Sequence, residues 1–131
     1  MIVVDASVLV NSLADDGGDG DAARARLINE DLAAPELVDV EVLSVLRRGV
    51  AAGAIDTRRA SFAVADLLDL SLKRAPHGPL LTRCWELRDN LTVYDAAYVA
   101  LAEALDVTLL TADARLAAAP GTMCRIERIG G

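Results

Sequence analysis

Ile2-Val3-Val4-Asp5-Ala6-Ser7 opens the chain with three β-branched residues that run into a carboxylate and a small hydroxyl residue. A short continuous apolar run of this kind reads as a strand buried on both faces, as in a parallel sheet, and it delivers Asp5 to the strand's carboxyl end. Helical spacing follows at once in Val8, Leu9 and Leu13. Strand then helix is the opening of an α/β domain, in which ligands sit outside the carboxyl ends of the strands.

The same alternation continues. Asp15-Asp16-Gly17-Gly18-Asp19-Gly20 reads as a solvated loop with no assigned role, and Asp21 to Glu30 as a small amphipathic helix. Leu32-Ala33-Ala34 before Pro35 is a second strand, and Glu36 to Val50 a helix closing near Gly53. Asp56 to Leu70 is helical, with Phe62, Val64, Ala65, Leu67 and Leu68 on the expected buried arc. Ser71 to Ala75 is a third strand, Pro79 to Arg88 a helix, and Thr92 to Leu105 a long alanine-rich helix. Val107 to Thr111 is a buried strand, Asp113 to Ala118 a short helix, and Cys124 to Ile129 an alternating edge strand. This order predicts one α/β domain over residues 1–131, an α/β/α sandwich around a mostly parallel sheet of roughly five strands.

Composition narrows the function. Hydrophobic residues make up 53% of the chain but aromatic ones only 3%, so there is no evident platform for stacking bases, which argues against RRM-type and single-strand-binding modules. Twenty acids against 13 bases give a formal charge of −7, the wrong sign for a non-specific nucleic-acid binder. A polyanionic substrate therefore needs local basic patches or bound cations. Cys84 and Cys124 stand far apart and outside any metal-ligand spacing, which suits a reducing cytosol. No apolar run approaches the ~20 residues that span a bilayer, so the expected location is cytoplasmic, with no membrane partner.

Four acids stand out: Asp5, Glu41, Asp95 and Asp113. Each alone has a structural explanation. Asp5 and Asp113 suit helix N-caps, and Thr92-Val93-Tyr94-Asp95 suits a capping-box variant. The missing cations change that reading, because residues 1–23 and 89–114 contain no Lys or Arg while holding three of the four acids. Glu41 has only Leu37, Val38, Ser44 and Val45 at neighbouring helical spacings. If the helices bearing Glu41 and Asp95 start at the edge where the Asp5 and Asp113 strands end, four carboxylates converge without a compensating base. Partly buried carboxylates in that state repel one another and are driven to protonate. A divalent ion resolves the repulsion, and an all-oxygen set suits Mg²⁺ or Mn²⁺ rather than zinc. His77, the only histidine, stands in a loop between two prolines with no second histidine to share a site. Ser7 has no base beside it for triad chemistry; its alternatives are to hold Asp5 or a water, or to satisfy the helix start, and Thr111 has a similar role open to it.

With these residues in view, the chain resembles the PIN domains, and among them the VapC toxins of bacterial type II toxin-antitoxin pairs. The resemblance rests on Val4-Asp5-Ala6-Ser7-Val8-Leu9, on Glu41 within Val38-Asp39-Val40-Glu41-Val42-Leu43, on Tyr94-Asp95-Ala96-Ala97-Tyr98, and on Leu110-Thr111-Ala112-Asp113-Ala114-Arg115-Leu116, in that order from Met1 to about Ile129. It implies a Mg²⁺-dependent endoribonuclease, with Mn²⁺ able to substitute. Asp5, Glu41, Asp95 and Asp113 form its acidic site, with Asp5, Asp95 and Asp113 toward the metal and Ser7 and Thr111 in support. Where some PIN nucleases carry a further acid beyond the last motif, this chain has Ala114, Arg115 and Leu116, which puts a second fully liganded metal in doubt. Arg47, Arg48, Arg58, Arg59, Lys73, Arg74 and Arg88 fall outside the acidic stretches and are candidates for contact with flanking phosphates, the alternative being ordinary solvated helix faces. The resemblance also implies a VapB-type antitoxin over the acidic groove and a homodimer.

Three other readings compete. A receiver domain wants adjacent early acids and a late lysine, whereas the single lysine is Lys73. A haloacid-dehalogenase-like phosphatase wants an acid two residues after the first, where Ser7 stands. A PIN fold without activity, serving as an interaction module, is the third; the presence of all four acids argues against it.

Overall fold

The computed structural model describes residues 1–130. Its strands are β1 (Ile2–Val4), β2 (Leu32–Pro35), β3 (Leu72–Ala75), β4 (Leu109–Thr111) and β5 (Ile126–Arg128). They form one sheet in the order β3-β2-β1-β4-β5, every described pairing being parallel. The helices are α1 (Ala6–Ala14), α2 (Gly18–Leu27), α3 (Val38–Ala51), α4 (Thr57–Asp69), α5 (Leu81–Glu86, preceded by a 3-10 turn at Gly78–Leu80), α6 (Val93–Leu105) and α7 (Ala114–Ala117). Around the sheet, α6 packs across β1, β2 and β4 with α5 against it, while α1 gathers α2, α3 and α4. None of the described helices is long and apolar enough to cross a membrane.

Position and composition agree along the central elements. β1 lies mid-sheet and is buried throughout, as are Leu109 and Leu110 of β4 and Ala33 and Ala34 of β2. Continuous apolar runs are what strands covered on both faces require. In α6, Ala96 through Ala102 are all buried. A helix apolar all round has to lie inside the molecule, and its alanines let neighbouring backbones approach closely. The helix ends with Asp106 in the left-handed region at φ 53°, which a short polar side chain tolerates.

Several sequence expectations are corrected. The glycine-aspartate cluster is not wholly loop, because α2 begins at Gly18 and takes Gly18-Asp19-Gly20 as its first turn. Gly20 is buried, its N–H bound by the Asp15 carboxylate at 2.6 Å, and a Cβ there would meet the Asp15 carbonyl oxygen at 1.8 Å. Glycine is needed for this close approach, so Gly20→Ala, which favours most helices by up to ~1 kcal/mol, is expected to destabilise this one by ~1–3 kcal/mol in urea denaturation. The fourth strand is shorter than expected and starts at Leu109. The expected buried arc of α4 is also out of phase: Ala60, Ala63 and Leu67 are buried, while Phe62 is 53% and Leu68 78% exposed.

Candidate functional site

Parallel topology sends the carboxyl ends of β1 and β4 to one edge, where α1, α3 and α6 begin. Asp5 follows β1 directly, its backbone N–H bonded to Leu110 O at 3.2 Å in continuation of the ladder. It also N-caps α1, accepting the Val8 N–H at 3.2 Å. Asp113 caps α7 in the same way, accepting the Arg115 N–H at 2.8 Å. Glu41 sits in the first turn of α3 and Asp95 in the first turn of α6, where Thr92 Oγ1 accepts the Asp95 N–H at 3.1 Å. Side chains of Asp5, Glu41, Asp95 and Asp113 line one cleft of about 420 Å³, together with Ser7 and Tyr98. The expectation of convergence therefore describes the actual placement of the four acids.

Asp5 is held most firmly. Ser7 Oγ donates to its Oδ1 at 2.6 Å, and the buried Thr111 Oγ1 donates to its Oδ2. The two hydroxyls are themselves fixed by the loop that carries Asp113: Ala112 N–H donates to Ser7 Oγ and Asp113 N–H to Thr111 Oγ1, both at 3.0 Å. Strand β1 and the β4–α7 loop are thus locked together through one carboxylate. With Val8 N–H also on Oδ1, that oxygen has used both lone-pair directions, whereas Oδ2 keeps one. Asp5 can therefore offer a cation one oxygen and not two.

Burial pushes the Asp5 carboxyl above the usual range. The Ser7, Thr111 and Val8 hydrogen bonds oppose this, and the charge of Asp95 adds to it. Glu41 is raised by burial and by Asp95 and Asp5, against a hydrogen bond from Tyr98. Asp95 is raised by burial and by Asp113, with Thr92 and Arg115 pulling it down. These are carboxylates that feel one another, and the cation acting on Asp95, Arg115, is an exposed side chain whose Nε lies 3.9 Å from Asp113 Oδ1.

Tyr98 was not foreseen. Its side chain is almost wholly buried, and its hydroxyl donates to Glu41 Oε1 at 2.5 Å, which orients that carboxylate across the cleft. Tyr98 stood in the sequence only as part of the motif around Asp95, with no role assigned; the pairing spans 57 residues, and no local pattern reports it. Asp19 is the second residue missed: carried by the first turn of α2, it lines the same cleft beside Asn11 of α1. His77 also has a structural role, its Nε2 accepting the Leu37 N–H at 3.0 Å at the otherwise uncapped start of α3. Asp39 and Arg74 form a two-pronged ion pair, which removes Arg74 from the cations open to a ligand.

The donor set can be tested against a metal. Among the described residues no three His, Cys, Asp or Glu side chains come close enough to cage an ion directly. Zinc, which wants three or four protein ligands, does not fit. Mg²⁺ does, since it takes one or two carboxylates and keeps several waters, and a cleft of this volume with one open Asp5 oxygen suits a hydrated ion.

Comparison with known proteins gives a consistent result. The family model described as PIN domain matches residues 2–121. Ribonuclease VapC1 of Mycobacterium tuberculosis is 47% identical over 128 residues, covering 97% of this chain and 96% of that protein. The crystal structure of M. tuberculosis VapC20, a Sarcin-Ricin loop cleaving toxin, superposes with a TM-score of 0.72 at 17% identity, over 94% of this chain and 97% of that one. A member of the VapBC family of toxin-antitoxin systems, VapBC-5 from M. tuberculosis, gives 0.58 at 24% identity, over 98% and 97%. At those identities the two structures speak for the fold, the five-stranded parallel sheet with flanking helices.

Proposed function

Since this chain belongs to the PIN-domain family and is a VapC-type ribonuclease toxin by descent, we propose that it is a Mg²⁺-dependent endoribonuclease whose site is the cleft of Asp5, Glu41, Asp95 and Asp113. One observation supports this above the rest: four carboxylates line one cleft, those of Asp5, Glu41 and Asp95 are pushed upward by burial and by acidic neighbours, and among the described residues no Lys or Arg lines it. Asp5, Asp95 and Asp113 would hold the hydrated ion, in part through its waters, Mn²⁺ being an acceptable substitute. When bound, the ion supplies Lewis acidity toward a phosphodiester and makes water acidic enough to attack at neutral pH. Glu41, aimed by Tyr98, receives the proton of the attacking water. Ser7 and Thr111 favour the charged form of Asp5 against burial and hold it in register with the loop that presents Asp113. The bond formed is water oxygen to phosphorus; the bond broken is phosphorus to the leaving ribose oxygen, which takes up a proton.

The chain works in this reading with a VapB-type antitoxin, a basic side chain of which supplies the charge the cleft lacks. It also forms a homodimer; the exposure of Leu81, Trp85, Val93 and Tyr94 around one apolar cleft supports a self-association surface. The test is purified, partner-free protein incubated with total RNA, with new ends mapped. Discrete ends that appear with Mg²⁺ or Mn²⁺ and vanish in EDTA are expected. Intact RNA under both metals would overturn the reading in favour of a PIN fold that binds without cutting. Sedimentation of the protein alone and co-expressed with the neighbouring reading frame checks the dimer and the antitoxin.

A further inference from the structure

An acidic cleft that must accept a polyanion needs a cation at its mouth. Most guanidinium groups of this chain are already committed. Arg26, Arg74 and Arg83 each grip a carboxylate with two nitrogens. Arg24 binds two carbonyls and Asp21, Arg59 pairs with Asp16, and Arg88 lies over the Trp85 ring. Arg47 lines the groove between α3 and α4, and Arg125 lines a cleft at the far end of α6 from Asp95.

Arg115 differs from all of these. It stands two residues after Asp113, its side chain is 92% exposed, and its Nε lies 3.9 Å from Asp113 Oδ1. Among the described residues its guanidinium makes no hydrogen bond, and the group stands open to solvent. An exposed pair at that distance contributes little to stability, which leaves the group without a structural task. Its charge nevertheless reaches into the cleft, where it counters the upward displacement of the Asp95 carboxyl. Its backbone is fixed by the Asp113 cap, so the side chain starts from a defined point beside the acids.

We propose that Arg115 binds a non-bridging oxygen of an RNA phosphate at the mouth of the acidic cleft. The inference rests on the ribonuclease reading for its ligand. A planar donor fork suits phosphate oxygens and needs no further metal. Arg115 is in this role a positioning residue for the strand, with no part in proton transfer.

The test is fluorescence anisotropy of labelled single-stranded oligoribonucleotides with the full chain in Ca²⁺, over a range of salt concentrations. Loss of one phosphate contact on a single strand lowers the slope of log affinity against log salt by about 0.7, equally for different sequences. Arg115→Ala is expected to show that decrease with an unchanged melting temperature, and Arg115→Lys to restore the slope but not the full affinity. With Mg²⁺ the alanine variant should lose roughly tenfold in kcat/KM, mostly through KM. An unchanged slope in Arg115→Ala overturns the proposal, even if the wild type cuts RNA. A reduced slope in a protein that cuts no RNA under Mg²⁺ or Mn²⁺ upholds the phosphate contact and removes the hydrolytic reading instead.

Discussion

Asp95→Asn is expected to keep the fold, to cut RNA hydrolysis by at least about a hundredfold, and to erase the rise in melting temperature that Mg²⁺ produces. The first outcome follows from the cap: Thr92 Oγ1 accepts the backbone N–H of Asp95, so the start of α6 does not depend on the side chain. Asp95 takes part in none of the described ion pairs, and its charge raises the pKa values of both Asp5 and Glu41. Neutralising it relieves repulsion, and the metal-free variant should melt at the wild-type temperature or above. The second outcome has the size found when one group that meets developing charge is removed. For the third, an ion bound only by the native state at a hundredfold excess over its Kd contributes about 2.7 kcal/mol, ~10 °C in Tm for a chain of this length. Calorimetry with and without Mg²⁺, beside a cleavage assay, reads all three. Unchanged cleavage would take Asp95 out of the chemistry; lost cleavage with an intact metal shift would leave it there but not as a ligand.

How far such a site can be read from residues alone depends on how local its signals are. Asp5 was legible because three β-branched residues precede it and helical spacing follows, and a parallel sheet leaves one place for a residue so placed. Asp113 was legible for the same reason, after Leu109-Leu110-Thr111. Glu41 and Asp95 stood out through what their surroundings lack, since missing basic partners are visible in a sequence. The hydrogen bond from Tyr98 to Glu41 was not, because both ends satisfy the spacing of their own helices. The phase of α4 failed for a related reason. Periodicity in Phe62, Leu67 and Leu68 shows that a helix has an apolar face, but only the neighbours decide which part is covered, and here Phe62 and Leu68 remain exposed. Gly18-Asp19-Gly20 misled because glycine usually marks loops, whereas here the close Asp15 carbonyl leaves no room for a larger residue at Gly20. That helical turn carries Asp19 to the cleft, so the error in secondary structure and the missed site residue have one origin.

Without metal, Glu41→Gln is expected to become more stable than the wild type as pH rises, and added Mg²⁺ is expected to close or reverse the gap. Glutamine keeps an oxygen for the Tyr98 hydroxyl and the shape of the side chain, so the change removes charge and little else. Burial and the neighbouring acids hold the folded-state pKa of Glu41 above its ordinary value of 4.5. An acid displaced in that direction binds its proton more tightly in the native than in the unfolded state. Its contribution is therefore most favourable below the ordinary value and declines as pH climbs from there through the raised folded value, levelling off above it. Asp16, Glu103 and Glu127 act in the opposite sense: their pKa values are lowered, so their contribution is lost as pH falls. The profile of the wild type alone mixes the two, and only the difference between wild type and variant isolates Glu41. Because the group is partly exposed, screening reduces the effect to the order of 1 kcal/mol at neutral pH, ~4 °C in Tm. Urea denaturation of both proteins in EDTA from pH 4 to pH 8, repeated in Mg²⁺, measures the difference directly. A gap that is flat across this range would mean that Glu41 is not held under strain by its neighbours, and a gap that Mg²⁺ leaves untouched would mean that the ion does not relieve it.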